Sequence, residues 1–388
     1  MRVLIISRYF WPEDGVSEEP YILKEYVDWH LIKGHKIEVI SGVQNHHKDD
    51  LKVYENYGVK FSYFLAQIDR KSSFYKRIMN SLFLLFLAIK SVIFNKKFDL
   101  IYLPSNPPIV ALLVSITNKL LLKKSRTIFT VQDNMIYRLK KNFLKNIYKK
   151  YMKYTLNISN IIIVLSQPMK DEITSYFSLK KSNQVSKKIH ILLNFSNIDK
   201  NLYQQSRFSQ KSIDIIYAGN HGESQSLTSF LRVLIEINPN EQPNVVFYGE
   251  GTDKVNVLNF AKKHHLNINF NEPIPKKEII KKISKSKYGL VCMSESLSRY
   301  AFPSKLATYL SSGTKVILCV NGYDHLSNFI KENEFGYVID SSDPKSAANN
   351  LKKYLKNSEQ LNENFFHNIN YEFNKENYFK KLSKILEL

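Results

Sequence analysis

The sequence predicts an α/β protein built from two doubly wound domains in series. Short apolar runs alternate with helical patterns through the first half, and the alternation restarts after a polar break. Late in the chain, Phe302 to Val320 (FPSKLATYLSSGTKVILCV) reads as a loop, a helix, a glycine stop and a buried strand. A length of 388 residues suits two domains, and 44% hydrophobic residues are enough to give each a core.

In the first half, strands are expected at Val3–Ser7, Lys36–Ser41, Val59–Phe64, Asp99–Leu103, Arg126–Val131, Ile161–Ser166 and Ile189–Leu193. Helical patterns lie between them, among them Glu18 to Lys33 and Phe143 to Asn157. The polar stretch from Asn194 to Lys211 is the linker candidate. Strands resume at Ile213–Ala218, Asn244–Tyr248, Asn267–Phe270, Tyr288–Met293, Lys315–Val320 and Tyr337–Ile339. The expected division is 1–205, 206–360, and a helical tail over 361–388 that packs back on the first domain. Open parallel sheets bind ligands beyond the carboxyl ends of their strands. The active site is therefore expected in a cleft where the two domains face each other.

The net charge is +21 and the pI near 9.5, which favours anionic partners: nucleotide diphosphates, phospholipid head groups or nucleic acid. Free use of Lys by an A/T-rich genome is the blander source of that charge. Cys292 and Cys319 both lie in apolar runs and read as buried, reduced thiols of a cytoplasmic protein. The opening run Arg2 to Ser7 reads as a first strand, not a secretion signal. Ser81 to Phe94 is the membrane suspect. It falls short of the roughly 20 residues of a span, and Lys90 interrupts it. A helix covering a sheet and an interfacial helix on an anionic membrane both remain open.

Loops after strands carry the candidate chemistry. The first strand runs into a loop with Pro12 and Gly15 that lacks a GxGxxG fingerprint. Prolines hold the loop around Asn106 extended, as a stiff connector or a wall of an acceptor site. Asp133 follows another strand, where a carboxylate can orient or deprotonate a hydroxyl, or cap a helix. The run Arg138 to Lys153 interleaves lysines with Tyr148, Tyr151, Met152 and Tyr154. It reads as a solvated face or as a surface drawn to an anionic membrane or a lipid-linked phosphate.

In the second half, Gly219, Asn220 and Gly222 let backbone N–H groups approach a diphosphate, with Gln225 adding a side-chain hydrogen bond. His221 beside them reads as an ordinary polar loop residue. Gly249 and Gly251 flank Glu250, either as a plain tight turn or as a turn that also lines a nucleotide pocket. Glu295 can accept from sugar hydroxyls, and Arg299 and Lys305 can offset diphosphate charge. Pro303 suits a helix start, Ser304 suits its cap, and Lys305 lies beside the positive end of the helix. No Asp-x-Asp pair or His/Cys cluster of metal-ligand spacing is present. No metal and no cofactor is expected; cationic groups and the helix N-terminus would stabilise the leaving group.

The motifs RYFWPE, GHKIEVIS, PSNPP, VQDNMIY, YAGN, YGEG, FPSK and YLSSG with FGYVID follow one another from Arg2 to about Asp340. In that order they resemble the two-domain GT-B glycosyltransferases, specifically retaining enzymes of glycosyltransferase family 4 of the bacterial capsule, O-antigen or exopolysaccharide type. The resemblance implies that the first domain binds the acceptor, near Gly15 and Asn106, and the second a nucleotide sugar. It implies that Gly219, Asn220 and Gly222 approach the diphosphate, that Glu250 and Gly251 lie near the nucleoside, and that Ser304 and Lys305 hold the phosphates. The residue five before Gly313 would meet the ribose. That family position is usually a glutamate; here it is Thr308, and the partner position is Tyr300. The usual Arg and Lys after the YAG strand are absent. The PSK-x-x-x-YL form also resembles galactofuranosyl-type transferases.

The resemblance implies sugar transfer from a nucleotide diphosphate donor, UDP-linked first of all, to a lipid-linked or growing glycan at the inner membrane face. The alternatives are a catalytically impaired subunit that binds glycan or a partner glycosyltransferase, and an epimerase of nucleotide sugars. Nucleic-acid binding is not expected, because the basic residues form no recognised nucleic-acid motif.

Overall fold

A computed structural model describes residues 1–10, 19–43, 48–66, 74–132, 141–176, 185–196, 211–294, 302–322, 325–356, 361 and 363–388. The chain divides into two compact units, Met1–Leu192 with Glu387–Leu388, and Leu193–Leu386. Most of the expected linker lies outside the described residues.

The first unit runs β1 (Arg2–Tyr9), α1 (Glu19–Ile32), β2 (Lys36–Val43), α2 (Lys48–Asn56), β3 (Lys60–Leu65), α3 (Phe74–Phe94), β4 (Leu100–Pro104), α4 (Pro108–Leu120), β5 (Arg126–Val131), α5 (Asn142–Ile158), β6 (Ile161–Val164), α6 (Gln167–Tyr176) and β7 (Ile189–Ile191). Its seven strands are all parallel, in the order β3-β2-β1-β4-β5-β6-β7. A parallel strand covered on both sides reads as continuous apolar sequence, and Val3 to Ile6 of β1 are at most 2% exposed. One carboxylate, Glu38, is buried in β2. Ser91 Oγ donates to it at 2.6 Å, Asn95 Nδ2 at 3.2 Å and Lys60 Nζ at 3.3 Å, which offsets its desolvation. Within α5, Tyr148, Tyr151 and Met152 are core residues, and only Tyr154 of the interleaved set is exposed. The helical period turns Lys150 and Lys153 outward while it turns these three inward.

The second unit runs β8 (Ile213–Ala218), α7 (Leu227–Ile235), β9 (Val245–Tyr248), α8 (Lys254–Lys263), β10 (Ile268–Asn271), α9 (Lys276–Ser284), β11 (Ser286–Cys292), α10 (Ser304–Ser311), β12 (Lys315–Val320), α11 (His325–Glu332), β13 (Gly336–Asp340), α12 (Pro344–Lys356), α13 (Glu363–Phe373) and α14 (Lys375–Leu386). Its six strands are also parallel, ordered β10-β9-β8-β11-β12-β13. The order reverses between β8 and β11. Loops leaving those two strands must diverge to opposite faces, which opens a crevice at their carboxyl ends. Cys292 and Cys319 sit side by side in register on β11 and β12, buried and free.

Candidate functional site

The crevice of the second unit is lined by the turn after β8, the turn after β9 and the head of α10. Gly219 directly follows β8 at φ +149°, a left-handed conformation that favours glycine. A Cβ there would lie 2.9 Å from Lys305 Nζ and nearer still to its Cε, so the missing side chain is what seats the lysine. Lys305 Nζ lies 4.9 Å from the centre of the Tyr217 ring and donates to Gln225 Oε1 at 3.2 Å. One ammonium group is thus held over an aromatic face at the switch point.

Helix α10 delivers that lysine. Its first residue is Ser304, and Pro303 (φ −72°, ψ 122°) is the capping residue, so the expected Ser304 cap is replaced by a proline without a side-chain bond. Proline serves here because the first helical turns leave N–H groups unpaired by the helix itself. One turn after Lys305, Tyr309 lies fully buried, and its hydroxyl accepts from the Ala218 N–H at 2.9 Å. Its ring occupies the space left by Gly289 of β11, where a Cβ would come within 2.8 Å of Cδ1. The helix head and the end of β8 are therefore fastened together. Thr308, expected at the ribose, is half-buried on the same helix.

The turn after β9 fastens the loop from the other side. Gly249 (φ +145°) approaches the Gly219 carbonyl so closely that a Cβ would fall 2.9 Å from its carbon and closer to its oxygen. Gly251 does the same against the His221 backbone. His221 N–H donates to Glu250 C=O at 2.8 Å, and the Asp253 N–H donates to His221 C=O at 2.8 Å. The glycines are thus required by backbone-to-backbone contact, beyond the tight turn read from sequence. Gly222 is ordinary by comparison, with φ −98°. The Glu250 carboxylate pairs with Lys254, which also reaches Glu272 at 2.8 Å. These contacts, the Lys254 hydrogen bond above all, hold the Glu250 carboxyl below its usual range.

His221 corrects its sequence reading. It is buried at 0% exposure between Tyr217 (centroids 5.3 Å apart) and Phe247 (5.9 Å), and neither ring nitrogen has a hydrogen-bond partner among the described residues. Burial first, then the charges of Lys254 and Lys305, lower its pKa to about 4, although Glu250 and the Tyr248 carbonyl favour protonation. It is neutral at pH 7 and acts as a pillar under the glycine turn. Nothing in a lone histidine within a polar loop signals this. Tyr217 and Tyr309 were also missed, although the four-residue step from Lys305 to Tyr309 was visible.

The structure brings together Gly219, Asn220, Gly222, Gln225, Glu250, Gly251, Ser304, Lys305 and Thr308 around these three segments of one unit. Asn106 belongs to the first unit, half-buried after β4. Gly15, Asp133, Glu295 and Arg299 lie outside the described residues.

Comparison with known proteins falls on the same unit. Residues 199–369 match the family model described as Glycosyl transferases group 1. No curated protein matches the chain in sequence. Solved structures that share the whole fold include HepE, WaaB and TarM. HepE of Anabaena, bound to UDP and glucose, is 12% identical with a TM-score of 0.65, over 100% of this chain and 99% of its own. The lipopolysaccharide outer core galactosyltransferase WaaB has the same identity, score and coverage. A TarM variant of S. aureus, in complex with fondaparinux, alpha-GlcNAc-glycerol and UDP, is 11% identical with a TM-score of 0.68, over 99% of both chains. Identities this low establish a shared GT-B fold of two parallel sheets, seven- and six-stranded here.

Proposed function

We propose that the chain is a metal-independent, retaining glycosyltransferase that moves a sugar from a nucleotide diphosphate, UDP-linked first of all, to a lipid-linked or growing glycan in surface polysaccharide synthesis. The observation that carries this reading is Lys305, seated by Gly219 over Tyr217 at the head of α10. A donor's phosphates would take over the ammonium from Gln225 Oε1 and accept from first-turn amides of α10. The bond from the anomeric carbon to the phosphate oxygen breaks as negative charge gathers on the departing diphosphate, where these groups lie. The acceptor hydroxyl then bonds to the anomeric carbon from the same face. Asp133 is the candidate to take its proton, with Glu295 and Arg299 assigned to the sugar and diphosphate. UDP and UDP–sugar complexes of HepE and the UDP complex of TarM support a uridine donor, and the buried free thiols fit a cytoplasmic enzyme.

The test is release of UDP from a panel of UDP-sugars, with and without glycan acceptors and with and without a chelator. Lys305→Ala should cut turnover by about a hundredfold or more, and chelation should leave turnover intact. Thr308 favours a second reading, a subunit that binds without turnover, because threonine supplies no carboxylate where the resemblance calls for one. Tight UDP-sugar binding, read as a raised melting temperature, with no UDP release from any pair would establish that second reading. Donor consumption without an acceptor would mark an epimerase.

A further inference from the structure

Helix α3 has enough apolar length, Tyr75–Phe94, to cross a bilayer, yet only 22% of its most apolar window is buried. Its topology forbids a crossing. It joins β3 to β4, parallel strands of one sheet, and so must run back along that sheet. Leu84, Ala88 and Val92 seal it there at 0–1% exposure. On the opposite side Tyr75, Leu82, Phe86 and Ile93 follow one another at steps of seven, four and seven residues, which stacks them along one line. They are 70%, 51%, 63% and 41% exposed. Helix α4 packs against both α3 and α5, and α5 extends the apolar surface with exposed Phe143 and Ile147.

The charge around this face has one sign. Helices α3, α4 and α5 contain no acidic residue. The three helices hold eight Lys and Arg and so carry a charge of +8. Lys150 and Lys153 are exposed on α5. An apolar line within a cationic field matches the boundary of an anionic bilayer, where alkyl groups enter and ammonium groups meet phosphates. A second copy of the chain would bring the same positive charge to the same face.

We propose that the α3–α5 face of the first unit docks flat on an anionic lipid bilayer, with Tyr75, Leu82, Phe86 and Ile93 at the headgroup–acyl boundary. The inference is independent of the sugar-transfer reading and is tested without donor. Full-length protein is sedimented with phosphatidylcholine vesicles, with and without about a third phosphatidylglycerol. Binding is expected only with the anionic lipid, and it should fall as salt rises. Leu82→Ser/Phe86→Ser should weaken it by about tenfold or more while leaving the melting temperature unchanged, since both side chains lie outside the core. In Phe86→Trp, the fluorescence emission should shift to the blue on vesicle addition.

Three results would overturn the proposal: wild-type protein free of anionic vesicles at low salt, equal binding by the double variant, or an unmoved Phe86→Trp emission. A vesicle-free dimer that Leu82→Ser/Phe86→Ser dissolves would overturn it in favour of an interface between copies.

Discussion

Gly249→Ala should disable the second unit far more than a matched glycine replacement elsewhere in it. Two costs combine. At φ +145° an L-residue is strained, at roughly 1–2 kcal/mol. The added Cβ would also fall 2.9 Å from the Gly219 carbonyl carbon and closer to its oxygen, inside the 3.0 Å that real Cβ atoms respect. Both atoms are backbone, so the β8 and β9 turns must part by about an ångström, which overpacking data put at about 1–3 kcal/mol. The matched control is Gly322→Ala. Gly322 has φ +81° and none of the described residues within 4 Å of its would-be Cβ, so it bears strain without collision. For a unit of this size each kcal/mol moves the melting temperature by about 2–4 °C. The expected losses are about 4–20 °C for Gly249→Ala and about 2–8 °C for Gly322→Ala, with Gly249→Ala the lower by several degrees. Calorimetry of the two variants side by side, with a UDP-binding titration at a temperature where both are folded, checks this. If the variants melt within a degree of one another and bind UDP equally, the backbone contact between the turns is not what holds the loop.

Tyr309→Phe keeps the ring over Gly289 but strips the acceptor from the Ala218 N–H, and should cost about 1–2 kcal/mol and weaken UDP binding; an unchanged melt and affinity would show the hydroxyl to be idle. The first unit should be acid-sensitive through His30, which donates or accepts at Tyr102 Oη (2.9 Å) and His35 Nδ1 (2.8 Å) and faces Lys33 and the N-terminal amine. Burial, then His35 and those charges, lower its pKa from 6.5 to about 3. The unfolded chain therefore binds the proton first as pH falls below 6.5. Stability is full above that value and declines toward pH 3, by up to about 1.4 kcal/mol per pH unit. Urea midpoints at pH 7 and pH 5 should differ more in wild type than in His30→Gln, and equal differences would refute the assignment.

The strands were legible because parallel strands covered on both faces write themselves as apolar runs: Arg126–Val131, Ile213–Ala218 and Lys315–Val320 were placed to the residue. Ends slipped where polarity and pairing disagree. Ser286 is polar and yet opens β11, because it pairs with Ile213. The site was legible as a set of turns, since Gly219, Gly249 and Lys305 stand at strand and helix ends. Its fastening was not. That Tyr309 bonds Ala218 and that His221 lies buried beside Phe247 are facts of contact between segments tens of residues apart, and no local pattern encodes them. The Tyr148 and Tyr151 rings were misread for the opposite reason: charge on one side of a helix drew attention from its other side.

The chain's only two thiols, Cys292 and Cys319, are adjacent at the centre of the second sheet, each 1% exposed, and the first unit has none. A disulfide-exchange dye added to intact protein therefore reads a clock that belongs to one half of the molecule. Its colour appears only as fast as β11 and β12 open, and slowing of that colour by a nucleotide would report occupancy without any labelled ligand.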